Sequence, residues 1–159
     1  MDRLWTPWRY QYITKSLPDS QGCVFCVKAA ESLDVENFIV FRGRACFVLL
    51  NIYPYNNGHI MIAPFAHVAT LEDAPEEAVT EMMSLARHAS GVLQRTYRPD
   101  GINLGMNLGM SAGAGVAGHI HMHVLPRWAG DTSFMTTIGE TRVVPEELRT
   151  TWQKLRDAW

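Results

Sequence analysis

Short runs rich in Val, Ile and Phe recur along the chain and predict the strands of a sheet. After Asn37, the segment FIVFRGRACFVLLN indicates two strands that a tight turn joins at Gly43. The segment NIYPYNNGHIMIAP then gives an Asn-Asn-Gly turn and a third strand from His59 to Ala63. Two further strands, INLGMN and HIHMHVLP, flank the glycine-rich loop LGMSAGAGVAG. We expect the early strands to pair antiparallel because their connections are short.

A helical pattern separates the third strand from the fourth. Pro75, Glu76 and Glu77 predict a helix start, because acidic side chains stabilise the positive N-terminal end of a helix dipole. Apolar residues then recur at intervals of three and four up to the sequence Arg98-Pro99-Asp100-Gly101. The spacing predicts a helix of about five or six turns that buries one face. The residues expected on that face are Val79, Met82, Met83, Ala86, Ser90, Leu93 and Tyr97.

A second apolar stripe predicts a last helix over residues 145–159. Leu148, Trp152, Leu155 and Trp159 share one face of it and need an apolar surface to cover them. Strands gathered with two main helices, without strict β-α-β alternation, predict an α+β fold built on an antiparallel sheet. At 159 residues the chain suits one hydrophobic core, so residues 1–159 are expected to form a single domain.

Charge and hydropathy exclude several classes of function. A formal net charge of −2 provides no general basic field, so neither nucleic acid nor an anionic membrane is an expected partner. No apolar run approaches the roughly 20 residues that cross a bilayer, and the start MDRLWTPWRY lacks the features of a signal peptide. We therefore expect a cytoplasmic protein.

The cysteines indicate a metal or redox site. In a reducing compartment a Cys-x-x-Cys pair such as Cys23 and Cys26 is more often a metal or redox site than a disulfide. A thioredoxin-type site fits less well, because no strand is predicted before Cys23, and the first 30 residues read as an irregular, aromatic-rich segment. Cys46 lies in an apolar run and is expected in the core.

Three histidines alternate with apolar residues in GHIHMHVLPRW. If this segment is a strand, His119, His121 and His123 lie on one face. The outer two would then be about 13 Å apart, so one metal cannot easily bind all three. The row is therefore expected to divide its roles. A neutral imidazole can attack phosphorus, and the preceding glycines allow backbone N–H groups to approach an anion.

The segment HIHMHV fits the pattern His-x-His-x-His-x-apolar, and Asn51 and Gly58-His59 match the earlier half of the same motif. On these residues the chain resembles the histidine triad (HIT) family from about Gly22 to Asp131. The flanking segments RLWTPWRYQYI and PRWAGDTSFMTTIGETRVVPEEL resemble the bacterial branch that includes diadenosine tetraphosphate phosphorylases. The resemblance implies a HIT-like fold, a five-stranded antiparallel sheet and a homodimer.

The resemblance also implies nucleotidyl transfer through a covalent phosphohistidine. His121 would attack the α-phosphorus of an adenine nucleotide, and the carbonyl of His119 would fix the His121 tautomer. His123 and His59 would bind phosphate oxygens or the leaving group. Asn51 would contact the ribose hydroxyls, although a role in the turn at the strand end is the alternative. The residues implied in holding the transferred phosphate are Asn107, Ser111, Gly113 and Gly115.

Bacterial members with Cys-x-x-Cys add two histidines to a structural zinc. Here the matching Cys2His2 set is Cys23, Cys26, His67 and His119. A reduced pair without metal is the alternative, and no organic cofactor is implied. Dinucleoside polyphosphates such as diadenosine tetraphosphate are the expected substrates. The alternatives are nucleoside phosphoramidate hydrolysis and a nucleotide-binding regulatory dimer with incidental catalysis.

One position departs from the branch. Its phosphorylases carry Gly-Ser in the loop before the triad, and the serine helps to hold phosphate. This chain has Ala114-Gly115, which offers no side-chain donor there. The acceptor of the transferred nucleotide is therefore either inorganic phosphate or water.

Overall fold

The computed structural model describes residues 22–132 and 146–159. The aromatic-rich start of the chain and most of the segment before the last helix lie outside the described residues. Their predicted features, including the Trp and Tyr residues before Gly22, are therefore not part of the fold below.

Among the residues that the structure describes, five strands form one antiparallel sheet, as the sequence predicts. Their order across the sheet is β1-β2-β3-β5-β4, so β4 and β1 are the edge strands. Neighbouring strands are antiparallel throughout. The strands are β1 (Ile39–Arg42), β2 (Cys46–Leu50), β3 (Ile60–Pro64), β4 (Gly101–Met106) and β5 (Met122–Arg127).

Within residues 22–132 and 146–159, three α-helices accompany the sheet. They are α1 (Val24–Ala30), α2 (Glu76–Tyr97) and α3 (Leu148–Ala158). The prediction of an irregular segment up to residue 30 is wrong at α1, where the Cys-x-x-Cys pair lies on a short helix. The last helix begins at Leu148 rather than at residue 145, since Glu147 is its extended N-cap residue. None of the helices in the described part of the chain is long and apolar enough to cross a membrane.

The long helix buries part of the predicted stripe: Met82, Ala86 and Leu93 are buried, as predicted. Val79 is 38% exposed and Met83 is 59% exposed, so both lie on the solvent side. The other four buried residues each lie one position before a predicted one, and this moves the buried face around the helix because each residue turns it by about 100°. The buried residues of α2 are Ala78, Met82, Leu85, Ala86, Ala89, Val92 and Leu93.

The last helix covers the sheet as its apolar stripe predicts. Leu155 and Trp152 are buried, and the Trp152 indole Nε1 donates to the Ile39 carbonyl at 2.8 Å. Trp159 stacks on Phe41 with ring centroids 5.4 Å apart. Burying these large side chains against β1 gives α3 most of its stability, since a free helix of this length is marginal in water.

The two faces of the sheet carry separate apolar clusters. Val48 and its even-numbered neighbours pack with α2 and α3 in the main core, which also takes Ile120 and Val124. Phe47 and Leu49 point to the other face, where they form a second cluster with Phe25 of α1. This second cluster places α1 on the face of the sheet that carries the histidines.

Candidate active site and metal cluster

The histidine row is only partly a strand. β5 begins at Met122, so His123 lies in the strand, while His119 and His121 lie in the non-strand segment just before it. That segment is held by a hydrogen bond from the Ile120 N–H to the Val68 carbonyl at 2.8 Å. Side chains still alternate between faces. The expected single face therefore exists, although a loop contact rather than a strand ladder fixes its first half.

His121 is held in a defined tautomer. Its side chain is buried at 4% exposure, and Nδ1 lies 2.9 Å from the His119 carbonyl oxygen. Because a carbonyl only accepts, Nδ1 must carry the proton and Nε2 keeps its lone pair. Burial lowers the pKa of His121, which favours the neutral ring. The result is an imidazole prepared to act as a nucleophile.

The rings of His123 and His59 are hydrogen-bonded directly to each other. His59 Nε2 lies 2.9 Å from His123 Nδ1, and the His123 ring centroid is 5.0 Å from that of His121. Burial, together with the nearby His121 ring, lowers the pKa of His123 to about 4. The structure thus brings together the predicted residues His59, His121 and His123 in one site.

Asn51 occupies the end of β2, beside this pair. Its Oδ1 accepts from the Tyr53 N–H at 2.9 Å, and its Nδ2 lies 3.4 Å from His59 Nδ1. The turn role that the sequence left as an alternative is therefore observed, as an Asx turn. Contact with ribose hydroxyls stays a prediction.

The glycine-rich loop lies between β4 and the histidine segment. It contains one short 3₁₀ turn, Met110–Ala112, and Gly113 follows this turn at a φ of 92°. Asn107 Nδ2 reaches the Gly113 carbonyl at 3.5 Å, which ties the two ends of this turn together. Ser111 and Gly115 are exposed, and no hydrogen bond among the described residues joins them to the histidines. Their role in phosphate binding stays a prediction.

Four predicted ligands gather beside the histidine row. The metal cluster consists of Cys23, Cys26, His67 and His119, whose ligand atoms all lie within 4.8 Å of one another. Four of the pairs are close. His119 Nδ1 is 3.3 Å from Cys23 Sγ, 3.5 Å from Cys26 Sγ and 3.3 Å from His67 Nδ1. His67 Nδ1 is also 3.3 Å from Cys26 Sγ. Residues almost a hundred positions apart therefore form a single set that can hold a metal ion.

The spacing of this cluster fits a tetrahedral ion. Zn–S bonds of about 2.3 Å and Zn–N bonds of about 2.0 Å place neighbouring ligand atoms of a tetrahedron roughly 3.3 to 3.8 Å apart. His119 Nε2 donates to the Pro64 carbonyl at 2.9 Å, which leaves Nδ1 to face the thiols. Such a hydrogen bond on the far nitrogen is the usual support of a metal-binding histidine.

Phe25 connects the metal cluster to the site, and the sequence reasoning missed it. It lies between the two cysteines on α1, is buried, and contacts the rings of both His119 and His121 at centroid distances of 5.2 Å and 4.8 Å. An aromatic residue inside a Cys-x-x-Cys pair was the available signal. The pattern does not reveal which ring it would meet.

Comparisons with known proteins agree with this geometry. A sequence model described as the HIT domain matches residues 32–130. The chain is 39% identical over 165 aligned residues to a protein named AP-4-A phosphorylase from Mycobacterium tuberculosis, covering 100% of this chain and 85% of that relative. It is 32% identical over 89 residues to a protein named Bis(5'-adenosyl)-triphosphatase from Dictyostelium discoideum, covering 56% of this chain and 59% of the relative.

A solved structure shows the same fold. A Zn-bound histidine triad family protein from Mycobacterium smegmatis superimposes with a TM-score of 0.70 at 30% identity, covering 87% of this chain and 94% of that one. The sheet, the histidine row and these matches lead to one conclusion. The chain belongs to the histidine triad family.

Proposed function

We propose that this protein is an enzyme that cleaves dinucleoside polyphosphates by transferring a nucleotidyl group to His121. The observation that carries the proposal is the hydrogen bond from His121 Nδ1 to the His119 carbonyl, 2.9 Å long. It directs the unprotonated Nε2 away from the backbone. A neutral, oriented ring of this kind needs no separate base before it attacks phosphorus.

The reaction proceeds in two displacements. In the first, His121 Nε2 bonds to the α-phosphorus, and the bond from that phosphorus to the bridging oxygen breaks with its electron pair on the leaving nucleotide. In the second, an oxygen of water or inorganic phosphate attacks the same phosphorus, and the P–N bond breaks with its electron pair returning to His121 Nε2. When water attacks, one of its protons is released to solvent. Neutral donors such as the His123 ring stabilise the negative charge that builds up on oxygen.

The names of two relatives support this substrate class. One is called AP-4-A phosphorylase and the other Bis(5'-adenosyl)-triphosphatase, and both names describe adenine dinucleotides. The similarity to the first covers the whole chain, so we propose adenine dinucleotides here as well. Asn51, Asn107, Ser111, Gly113 and Gly115 are the proposed contacts to the ribose and the transferred phosphate.

We further propose that the metal cluster holds a structural zinc ion. Two thiols and two imidazoles are the donor set that zinc prefers, and a relative of known structure is described as Zn-bound. Zinc would serve as a covalent link between α1 and the segment that carries His119. Cys23 and Cys26 would fix the position of Phe25 against the His121 ring.

The proposed assembly is a homodimer in the cytoplasm. β4 is an edge strand, and Leu104 on it is 48% exposed, so a partner chain could cover it. The reduced thiols that a metal requires fit a reducing compartment. Sedimentation or light scattering of the purified protein would test the dimer.

The acceptor distinguishes a phosphorylase from a hydrolase. Ala114 and Gly115 provide no side-chain donor in the loop, so inorganic phosphate would rely on backbone N–H groups and Ser111. Chromatography of diadenosine tetraphosphate incubated with and without inorganic phosphate separates the cases. ADP and ATP formed only with phosphate indicate a phosphorylase, and AMP and ATP formed in both indicate a hydrolase. Intact substrate in both would contradict the proposed function.

A further inference from the structure

A carboxylate that the two displacements do not use lies behind the turn that follows β2. Asp131 accepts from Arg127 Nε at 2.5 Å and Nη2 at 2.8 Å, and from the Trp128 N–H at 3.2 Å. Its side chain is only 10% exposed. The Arg127 guanidinium holds the pKa of this carboxyl well below its usual range. Asp131 is thus a fixed acceptor at the end of β5.

Asn56 connects this acceptor to the turn. Its Nδ2 donates to Asp131 Oδ2 at 2.8 Å and lies 3.2 Å from the Pro126 carbonyl. Its main-chain carbonyl accepts from the His59 N–H at 3.2 Å. One residue therefore ties His59 to the end of β5 through both its side chain and its backbone.

The same turn determines where protons lie on the rings of His59 and His123. The Tyr55 N–H donates to His59 Nδ1 at 3.1 Å, so that nitrogen carries no proton. His59 Nε2 then carries the proton and donates to His123 Nδ1 at 2.9 Å. As a consequence, the proton of a neutral His123 lies on Nε2. Among residues 22–132 and 146–159, no hydrogen bond occupies that nitrogen.

We propose that Asp131 and Asn56 are positioning residues for departure of the leaving group. They hold the turn of residues 51–58 in place. The Tyr55 N–H, His59 and His123 then form a series of hydrogen bonds, each donating to the next, that ends at the N–H donor of His123 Nε2. This inference rests on the proposed function. As the bond between phosphorus and the bridging oxygen breaks, the electron pair stays on that oxygen, which accepts a hydrogen bond from His123 Nε2. No proton has to move along the chain.

The test is the dependence of rate on the leaving group. Aryl esters of adenosine 5′-monophosphate, with phenols of graded acidity, are the probes for Asn56→Ala, Asp131→Asn and the unaltered protein. Loss of the directed donor should slow the ester with the least acidic phenol on the order of 100-fold, a loss typical of one donor to a developing oxyanion. The ester of the most acidic phenol needs little stabilisation of its leaving oxygen, so its cleavage should slow much less. The plot of log kcat/KM against phenol pKa should therefore steepen in both variants.

Asn103→Ala is the matched control. It removes a hydrogen bond to the same arginine, from Arg127 Nη1 to Asn103 Oδ1 at 2.8 Å, on the side facing β4 instead of the turn. Its slope should equal that of the unaltered protein. Equal slowing of all esters in Asn56→Ala and Asp131→Asn would overturn the inference alone. If the unaltered protein cleaves none of the esters and no dinucleotide, the proposed function fails and this inference fails with it.

A second measurement tests the inference without any variant, in case the variants do not fold. Nitrogen-15 NMR of the histidine rings in the unaltered protein reports which nitrogen carries each proton. The inference requires His59 and His123 both to be protonated on Nε2 near neutral pH. Protonation of either ring on Nδ1 would overturn it, whatever the variants do.

Discussion

The Nδ1 atom of His121 donates to the backbone carbonyl of His119, 2.9 Å away, while the ring of His119 belongs to the metal cluster. His119 thus contributes its side chain to the metal cluster and orients His121, the proposed nucleophile, with its backbone carbonyl. Any movement of His119 must change the direction of the His121 lone pair. The metal cluster and the His121 ring are therefore linked through the backbone carbonyl of one residue.

Replacing His121 should separate catalysis from binding. His121→Ala removes the nucleophile, so turnover of diadenosine tetraphosphate should fall by about three orders of magnitude or more. Nucleotide affinity, measured by calorimetry, should change little, since the ring acts mainly in the transition state. His88→Gln, on the exposed side of α2, is a control that should keep full activity. Unchanged turnover in His121→Ala would contradict the covalent mechanism.

Removing one ligand should release the metal. Cys26→Ser weakens the metal cluster, and metal analysis should fall from about one equivalent of zinc per chain to a small fraction of that. The melting temperature should fall with it, because metal binding contributes to folding. Cys46→Ala is the thiol control: Cys46 is buried in the main core, away from the metal cluster, so the zinc content should stay the same. Full zinc content in Cys26→Ser would exclude the proposed ligand set.

The sheet could be predicted from sequence because its strands are short apolar runs bounded by strong turn residues. Gly43 and Gly58 mark two of those turns, and strands begin or end within a few residues of each. α1 was missed for a physical reason. It has seven residues, no acidic residue in its first turn and no side-chain cap, so tertiary contacts rather than local propensity hold it.

The site was only partly predictable. Alternation showed that the three histidines share a face, and the family resemblance assigned their roles and the metal ligands. Neither the alternation nor the resemblance could show that the rings of His59 and His123, 64 positions apart, are hydrogen-bonded to each other. The position of Asp131 behind the turn likewise depends on the packing of β5 against distant loops, which local sequence does not encode.

Phe25 should affect catalysis without affecting the metal. Phe25→Leu keeps an apolar side chain on α1 but removes the ring that lies 4.8 Å from the His121 ring. We expect a cost of about 1 kcal/mol in unfolding free energy, typical of a conservative core substitution. Zinc content should stay at the parent level while kcat falls, because the nucleophile gains freedom to rotate. Unchanged kcat with a correctly folded variant would show that Phe25 serves the core alone.

The low pKa of His123 should appear in the stability of the protein towards acid. Burial lowers this pKa from 6.5 to about 4, so between these values the unfolded chain binds a proton that the folded chain does not. The contribution of His123 to stability is therefore fully present above about pH 6.5 and is lost as the pH falls towards 4. Denaturant titrations at several pH values should show the unfolding free energy of the parent decreasing across this window.

His123→Gln isolates that contribution. The metal cluster also responds to acid, but it does so equally in the parent and in the variant, so the difference between the two curves reports His123. This difference in unfolding free energy should be constant above about pH 6.5 and should shrink as the pH is lowered. Its slope against pH should correspond to the uptake of at most one proton per molecule on unfolding. A difference that does not change with pH would mean that His123 keeps an ordinary pKa in the folded protein. The His123 ring would then be protonated on both nitrogens below neutral pH, and it would no longer be a neutral donor at Nε2.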